Sequence, residues 1–155
     1  MSDEQNTPES QEAIKAWGQN VANDLAQRLV TRGYFEKHAR VEARWALPGR
    51  VMIGVAWQAD KPRSKVWVIG GEAVPADVVE LNVAKDPRAA ARHFAMRWQL
   101  QGARLGTAAD SEGKAGQIDW KGVEEKLAQQ AEALHQLAEE DEFWQGIQEE
   151  SPRAD

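Results

Sequence analysis

A chain of 155 residues, 42% hydrophobic and 28% charged, can bury a core without staples and has the balance of a globular domain in water. It holds no cysteine, which excludes a disulfide framework, a thiol nucleophile and a thiolate metal site, and suits a reducing cytoplasm. Its net charge of -6 sits at the ends: Asp3, Glu4, Glu9 and Glu12 at one, seven acids against Arg153 alone over residues 139–155 at the other, so the body between is mildly basic.

The opening MSDEQNTPES is acidic where a secretory leader is basic and then apolar, and no run reaches the ~18 apolar residues of a membrane span. The expectation is a cytoplasmic protein without membrane contact. Residues 1–9 read as a disordered acidic tail, 10–139 as a single α+β domain and 140–155 as an acidic-aromatic segment. From residue 10 to 32, Ile14, Trp17, Val21, Leu25 and Leu29 form one helical stripe that stops at Gly33, the residue best suited to a left-handed cap. Over 41–47, Val41, Ala43, Trp45 and Leu47 alternate with Glu42, Arg44 and Ala46, the period of a half-buried strand. Residues 51–58 put Val51, Ile53, Val55 and Trp57 on one face and Met52, Gly54 and Ala56 on the other. That second face is small rather than polar, as where another element lies close above it. KVWVIGG, 65–71, gives a third strand ended by Gly70 and Gly71, and the short turns imply an antiparallel meander.

EAVPADVVELNVAK reads as irregular. Asp86 and Pro87 start a helix over 86–106, which Gly106 and the linker TAADSEGKAGQ end. A last helix runs from Asp119 to Glu139 with Trp120, Val123, Leu127, Ala131, Leu134 and Ala138 on one side. The helix 86–106 carries two stripes: Ala91, Phe94, Trp98 and Leu105 on one side, Ala89, Met96, Leu100 and Ala103 nearly opposite. Two opposed stripes predict burial on both sides. The fold class is therefore α+β: an N-terminal helix, a three-stranded antiparallel meander, a central helix packed on the sheet and a C-terminal helix.

Between those stripes lie two polar edges, Arg88, Arg92 and Gln99 on one, and His93, Arg97, Gln101 and Arg104 on the other. Arginine suits a border because its stem covers apolar surface while its head meets acids of neighbouring elements; this is the favoured reading. The sharper one is an anion site of His93, Arg97, Gln101 and Arg104, able to grip a carboxylate or phosphate. The runs WVIGG, AVPADVV and DPRAAARHFAMRWQLQGARL, above all Arg92 to Gln101, resemble a small, uncharacterised bacterial family, proteobacterial in distribution and known only as a domain of unknown function. The resemblance spans roughly residues 34–105 and brings no activity, cofactor or catalytic residue.

No catalytic constellation stands out. Ser64 is the sole serine among the strands and lacks nucleophile-elbow spacing, and His38, His93 and His135 are isolated, without metal-ligand spacing. Catalytic residues, cofactors and metals are therefore expected to be none. Lys61–Lys65 with Arg50 could meet phosphates, but so few charges bind nucleic acid weakly, and most of the tryptophans read as core, with Trp67 able to face either way. In EEDEFWQGIQEE, the residues Phe143, Trp144 and Ile147 either dock on a protein partner with a basic groove or fold back on their own chain; large apolar residues are more often buried at home. The expected function is a non-enzymatic interaction or ligand-binding module, acting through that segment or the His93 edge. The alternative is a small enzyme or metabolite-binding protein with an anion site at Arg97 and Arg104.

Overall fold

The stripe read from Trp17 to Leu29 is the seam that α1, Pro8–Thr31, lays on a sheet in the computed structural model. The structure describes residues 8–112 and 120–145, with side chains over 11–103 and 122–145; residues 1–7 of the expected acidic tail lie outside them. Val21, Leu25 and Leu29 join Phe35, Ala39, Met52, Ala56, Val68 and Val78 in one core, each large aliphatic side chain contributing ~1.5–3 kcal/mol. Trp17 borders that core and its indole N–H donates to Glu72 Oε1 at 2.8 Å. Ile14, expected in the stripe, is 45% exposed and stays outside. Gly33 closes the helix as expected: at φ +84° it lets the N–H groups of Tyr34 and Phe35 reach the Leu29 carbonyl.

The sheet is an antiparallel meander in the order β1 (Ala39–Leu47), β2 (Val51–Gln58), β3 (Lys61–Gly70) and β4 (Asp77–Glu80). Three strands were expected, and among the described residues the sheet has four. β4 pairs Asp77 with Ile69 and Glu80 with Val66; four residues just after a proline are too few to show a period. The small face of β2 is covered as anticipated, with Met52 and Ala56 packed in the α1 core.

β1 departs from its simple alternation. Ala43 pairs with Gly54 and Trp45 with Ile53, so Arg44 is the extra residue of a bulge. Val41 and Ala43 therefore share the α1 face with Ala56 and Gly54, while Trp45 and Leu47 share the other with Ile53 and Val51. Gly54 is required there: a Cβ would stand 2.5 Å from the Glu42 carbonyl oxygen. On the face away from α1, Ile53, Val55, Trp67 and Ile69 are fully buried. The Trp67 indole donates to the carbonyls of Leu81 and Ala84, at 3.1 Å each, around the 3-10 turn Leu81–Val83.

The chain divides into two compact units, the first running through Pro87 and the second beginning at Arg88. The second holds α2 (Pro87–Glu112), α3 (Trp120–Ala138) and a 3-10 turn, Asp141–Phe143. α2 starts where Pro87 predicts but passes through Gly106 to Glu112; one glycine costs a helix about 1 kcal/mol and does not by itself stop it. The expected burial of α2 on two sides is also corrected. Ala90, Ala91, Phe94, Ala95 and Trp98 are buried, whereas Met96 and Leu100 are 52% and 56% exposed. An apolar residue on the far side of a helix is no guarantee of a second layer, because much folded surface is apolar. On α3, Ala131, Leu134 and Ala138 are buried but Val123 is exposed.

Candidate functional site

The arginines of one α2 edge hold the end of α3. Arg88 Nε donates to the Ala138 carbonyl at 2.6 Å and its terminal nitrogen to Asp141 Oδ1 at 2.6 Å. Arg92 Nε meets Glu139 Oε2 at 2.9 Å. A helix C-terminus leaves carbonyls without intrahelical donors and carries partial negative charge, so two guanidiniums there are structural pins. The Arg92 hydrogen bond holds the Glu139 carboxyl below its usual range.

The same end of α3 receives the C-terminal aromatics. Trp144 is only 5% exposed, and its indole donates to the Leu137 carbonyl at 2.9 Å; Phe143 is half-buried. Ile147 lies outside the described residues. As a docking anchor, Trp144 would first have to leave this seat.

The other edge of α2 brings His93, Arg97 and Gln101 together with the exposed Met96 and Leu100 around a shallow hollow of about 200 Å³. The Arg104 side chain lies outside the described residues. An anion in this hollow would meet one guanidinium, an imidazole and an amide presented by a single helix.

A larger site, not anticipated from the sequence, lies in the first unit between α1 and β1. This groove, about 760 Å³, falls within the ~300–1,000 Å³ of ligand-binding clefts. Ala22, Ala26 and Val30 of α1 and Ala39 and Val41 of β1 give it apolar surface, Asn23, Gln27 and Thr31 add polar groups on the helix side, and Lys37, His38 and Arg40 line its strand side. β1 is an edge strand. Ala59 N–H donates to the His38 carbonyl, so the His38 backbone faces β2. By strand alternation Arg40 and Glu42 do the same, while Ala39, Val41 and Ala43 turn their N–H and C=O groups away from β2. The bulge ends this run after Ala43.

The entry to β1 is fixed by Gln58, a buried polar side chain. Its Oε1 accepts from the Glu36 N–H at 2.9 Å, and its amide nitrogen donates to Asp60 Oδ1 at 2.6 Å. That hydrogen bond, with Lys37 Nζ 3.4 Å away, holds the Asp60 carboxyl below its usual range.

Beside the groove, β3 bulges: Ala56 pairs with Val66 but Gln58 with Lys61, so Pro62–Lys65 stand out opposite Trp57. Lys65 Nζ lies 5.4 Å over the Trp57 ring, and Arg40 is the cross-strand partner of Trp57. Arg40, Lys61, Arg63 and Lys65 thus gather at one end of the sheet, and among the described residues none is ion-paired. The sequence pointed to Lys61–Lys65 but matched it with Arg50, which precedes β2 at the opposite end. Sheet order, which seats Arg40 here, was the missing information.

No helix among the described residues is long and apolar enough to cross a membrane. No curated protein and no solved structure matches the chain. The resemblance noted over the strands and the arginine helix widens to residues 11–144, taking in α1, the sheet, both later helices and Trp144, and over that span the chain belongs to the family described as Domain of unknown function (DUF4826).

Proposed function

We propose that the chain is a non-enzymatic interaction module of the bacterial cytoplasm, which takes an extended segment of another protein as an added strand along β1. One observation carries the reading: the outward backbone groups of Ala39 and Val41 border a groove between α1 and the edge strand, and those of Ala43 continue the same edge up to the bulge. In strand addition the main chain supplies affinity and pockets for alternate side chains supply selectivity. Ala22, Ala26 and Val30 offer small apolar surface on the helix side of the groove, beside Asn23, Gln27 and Thr31. The lack of cysteine supports a reducing compartment, and the resemblance supports a bacterial source. The alternative, metabolite binding at His93, Arg97 and Gln101, has the α2 hollow in its favour.

A phage-displayed library of random decapeptides, panned on the whole protein, tests this. Enriched peptides should lose at least about tenfold in affinity on Ala43→Pro, which deletes an outward N–H at an edge position where proline is tolerated. N-methylation of alternate peptide amides should abolish binding in one register only, without altering the protein. No enrichment, or enriched peptides indifferent to both changes, would overturn the proposal.

A further inference from the structure

The geometry points to an acidic occupant: we infer that the segment taken up along β1 carries carboxylates towards its C-terminal end. This rests on the strand-addition reading and adds the chemistry of the partner. β1 runs from Ala39, beside the β2–β3 hairpin, to Leu47. Every pairing in the sheet is antiparallel, and an occupant continuing that pattern runs the other way, from the bulge at Arg44 towards Ala39. Its last residues arrive at the hairpin end, where Arg40, Lys61, Arg63 and Lys65 are in no ion pair among the described residues.

The surrounding acids do not cancel those cations. Asp60 is occupied by Gln58 and Lys37, and Glu42 by Arg44; Glu36 lines the groove itself and Glu80 stands on β4 opposite Val66, so the four cations outnumber the acids beside them. A nucleic acid is the weaker fit. Trp57 is a single half-buried ring with Lys65 already over it, whereas strand-tolerant stacking uses several open aromatic faces. Arg40 lines the groove, whose walls include Ala22, Ala26, Val30, Ala39 and Val41, and the other three cations stand at the same end of the sheet, which suits a peptide with aliphatic residues followed by acidic ones.

Fluorescence anisotropy with four labelled decapeptides tests the inference. All share an alternating Val/Thr stretch; they carry three Glu after it, three Glu before it, three Ser after it or three Lys after it. The peptide with Glu at its C-terminal end should bind about tenfold tighter than the Ser peptide, the gain that two or three screened surface charge pairs supply. That advantage should fall below about threefold in the Arg40→Gln/Arg63→Gln variant and at 0.5 M salt, where screening is strong, while affinity for the Ser peptide holds. Equal binding of Glu and Ser peptides, both lost on Ala43→Pro, would sink the acidic preference and leave strand addition standing. Preference for Glu at the N-terminal end would overturn the orientation. No binding by any peptide, or Glu binding that survives Ala43→Pro, would overturn both readings. Oligodeoxythymidylate binding as tightly as the Glu peptide would assign the cations to polyanions instead.

Discussion

Replacing Trp144 by alanine tests whether the C-terminal aromatics belong to the fold. The side chain is 5% exposed and its indole N–H satisfies the Leu137 carbonyl near the end of α3. Truncating a buried tryptophan to alanine costs ~3–5 kcal/mol. The lower end applies here, because the freed carbonyl lies near a helix terminus that water can reach. About 3 kcal/mol in a chain of this size lowers the melting temperature by roughly 6–12 °C. Trp144→Phe keeps most of the packing and loses the hydrogen bond, at ~0.5–1.5 kcal/mol or roughly 1–6 °C. Thermal melts followed by circular dichroism at 222 nm measure both. A shift under about 2 °C for Trp144→Ala would refute the reasoning and return Trp144 to the role of a docking anchor.

On α2, Phe94→Asp should destabilise severely, by several kcal/mol, since it buries an unpaired carboxylate, whereas Met96→Asp should stay within about 1 kcal/mol; equal losses in urea titrations would restore the two-sided helix. Gly54→Ala should cost ~2 kcal/mol or more, because the new methyl would press on the Glu42 carbonyl, and a melt indistinguishable from the parent's would contradict the close approach at the bulge. Glu139 has its folded pKa held down, first by the hydrogen bond from Arg92. Its contribution is therefore full above the ordinary carboxylate range and is lost as pH falls through that range and below it. Melts from pH 7 to 3 should show a shallower acid loss in Glu139→Gln, and an unchanged slope would remove the Arg92 pair from the account.

Period and punctuation carried much of the fold. Val21, Leu25 and Leu29 mark the buried side of α1, Gly33 its end, and Met52, Gly54 and Ala56 a close neighbour over β2. Asp86 and Pro87 marked the start of α2. What stayed hidden depends on facts that one segment does not hold. The bulge at Arg44 exists because two strands pair with one residue in excess, and Val41 to Leu47 alternate equally well without it. β4 is too short for a period, and Met96 and Leu100 have helical spacing whether or not anything covers them. The groove was least legible, because it is made by the position of β1 at the sheet edge beside α1. The cations of Lys61–Lys65 were visible in the sequence, but only strand order supplies Arg40 as their companion.

Sheet edges carry a hazard as well as an opportunity. An uninterrupted edge is a template on which identical chains can add to one another without limit, and proteins blunt it with charges, bulges or very short strands. β4 has four residues, too few for extended polymerisation. β1 has nine, but Arg44 breaks its pairing direction after Ala43 and twists the remainder out of line. Deleting Arg44 would restore one continuous edge while leaving Trp45 opposite Ile53 and Leu47 opposite Val51, on the face they already occupy. A single extra residue thus interrupts the one long edge of the sheet, the kind of device by which proteins keep an exposed edge from pairing without limit.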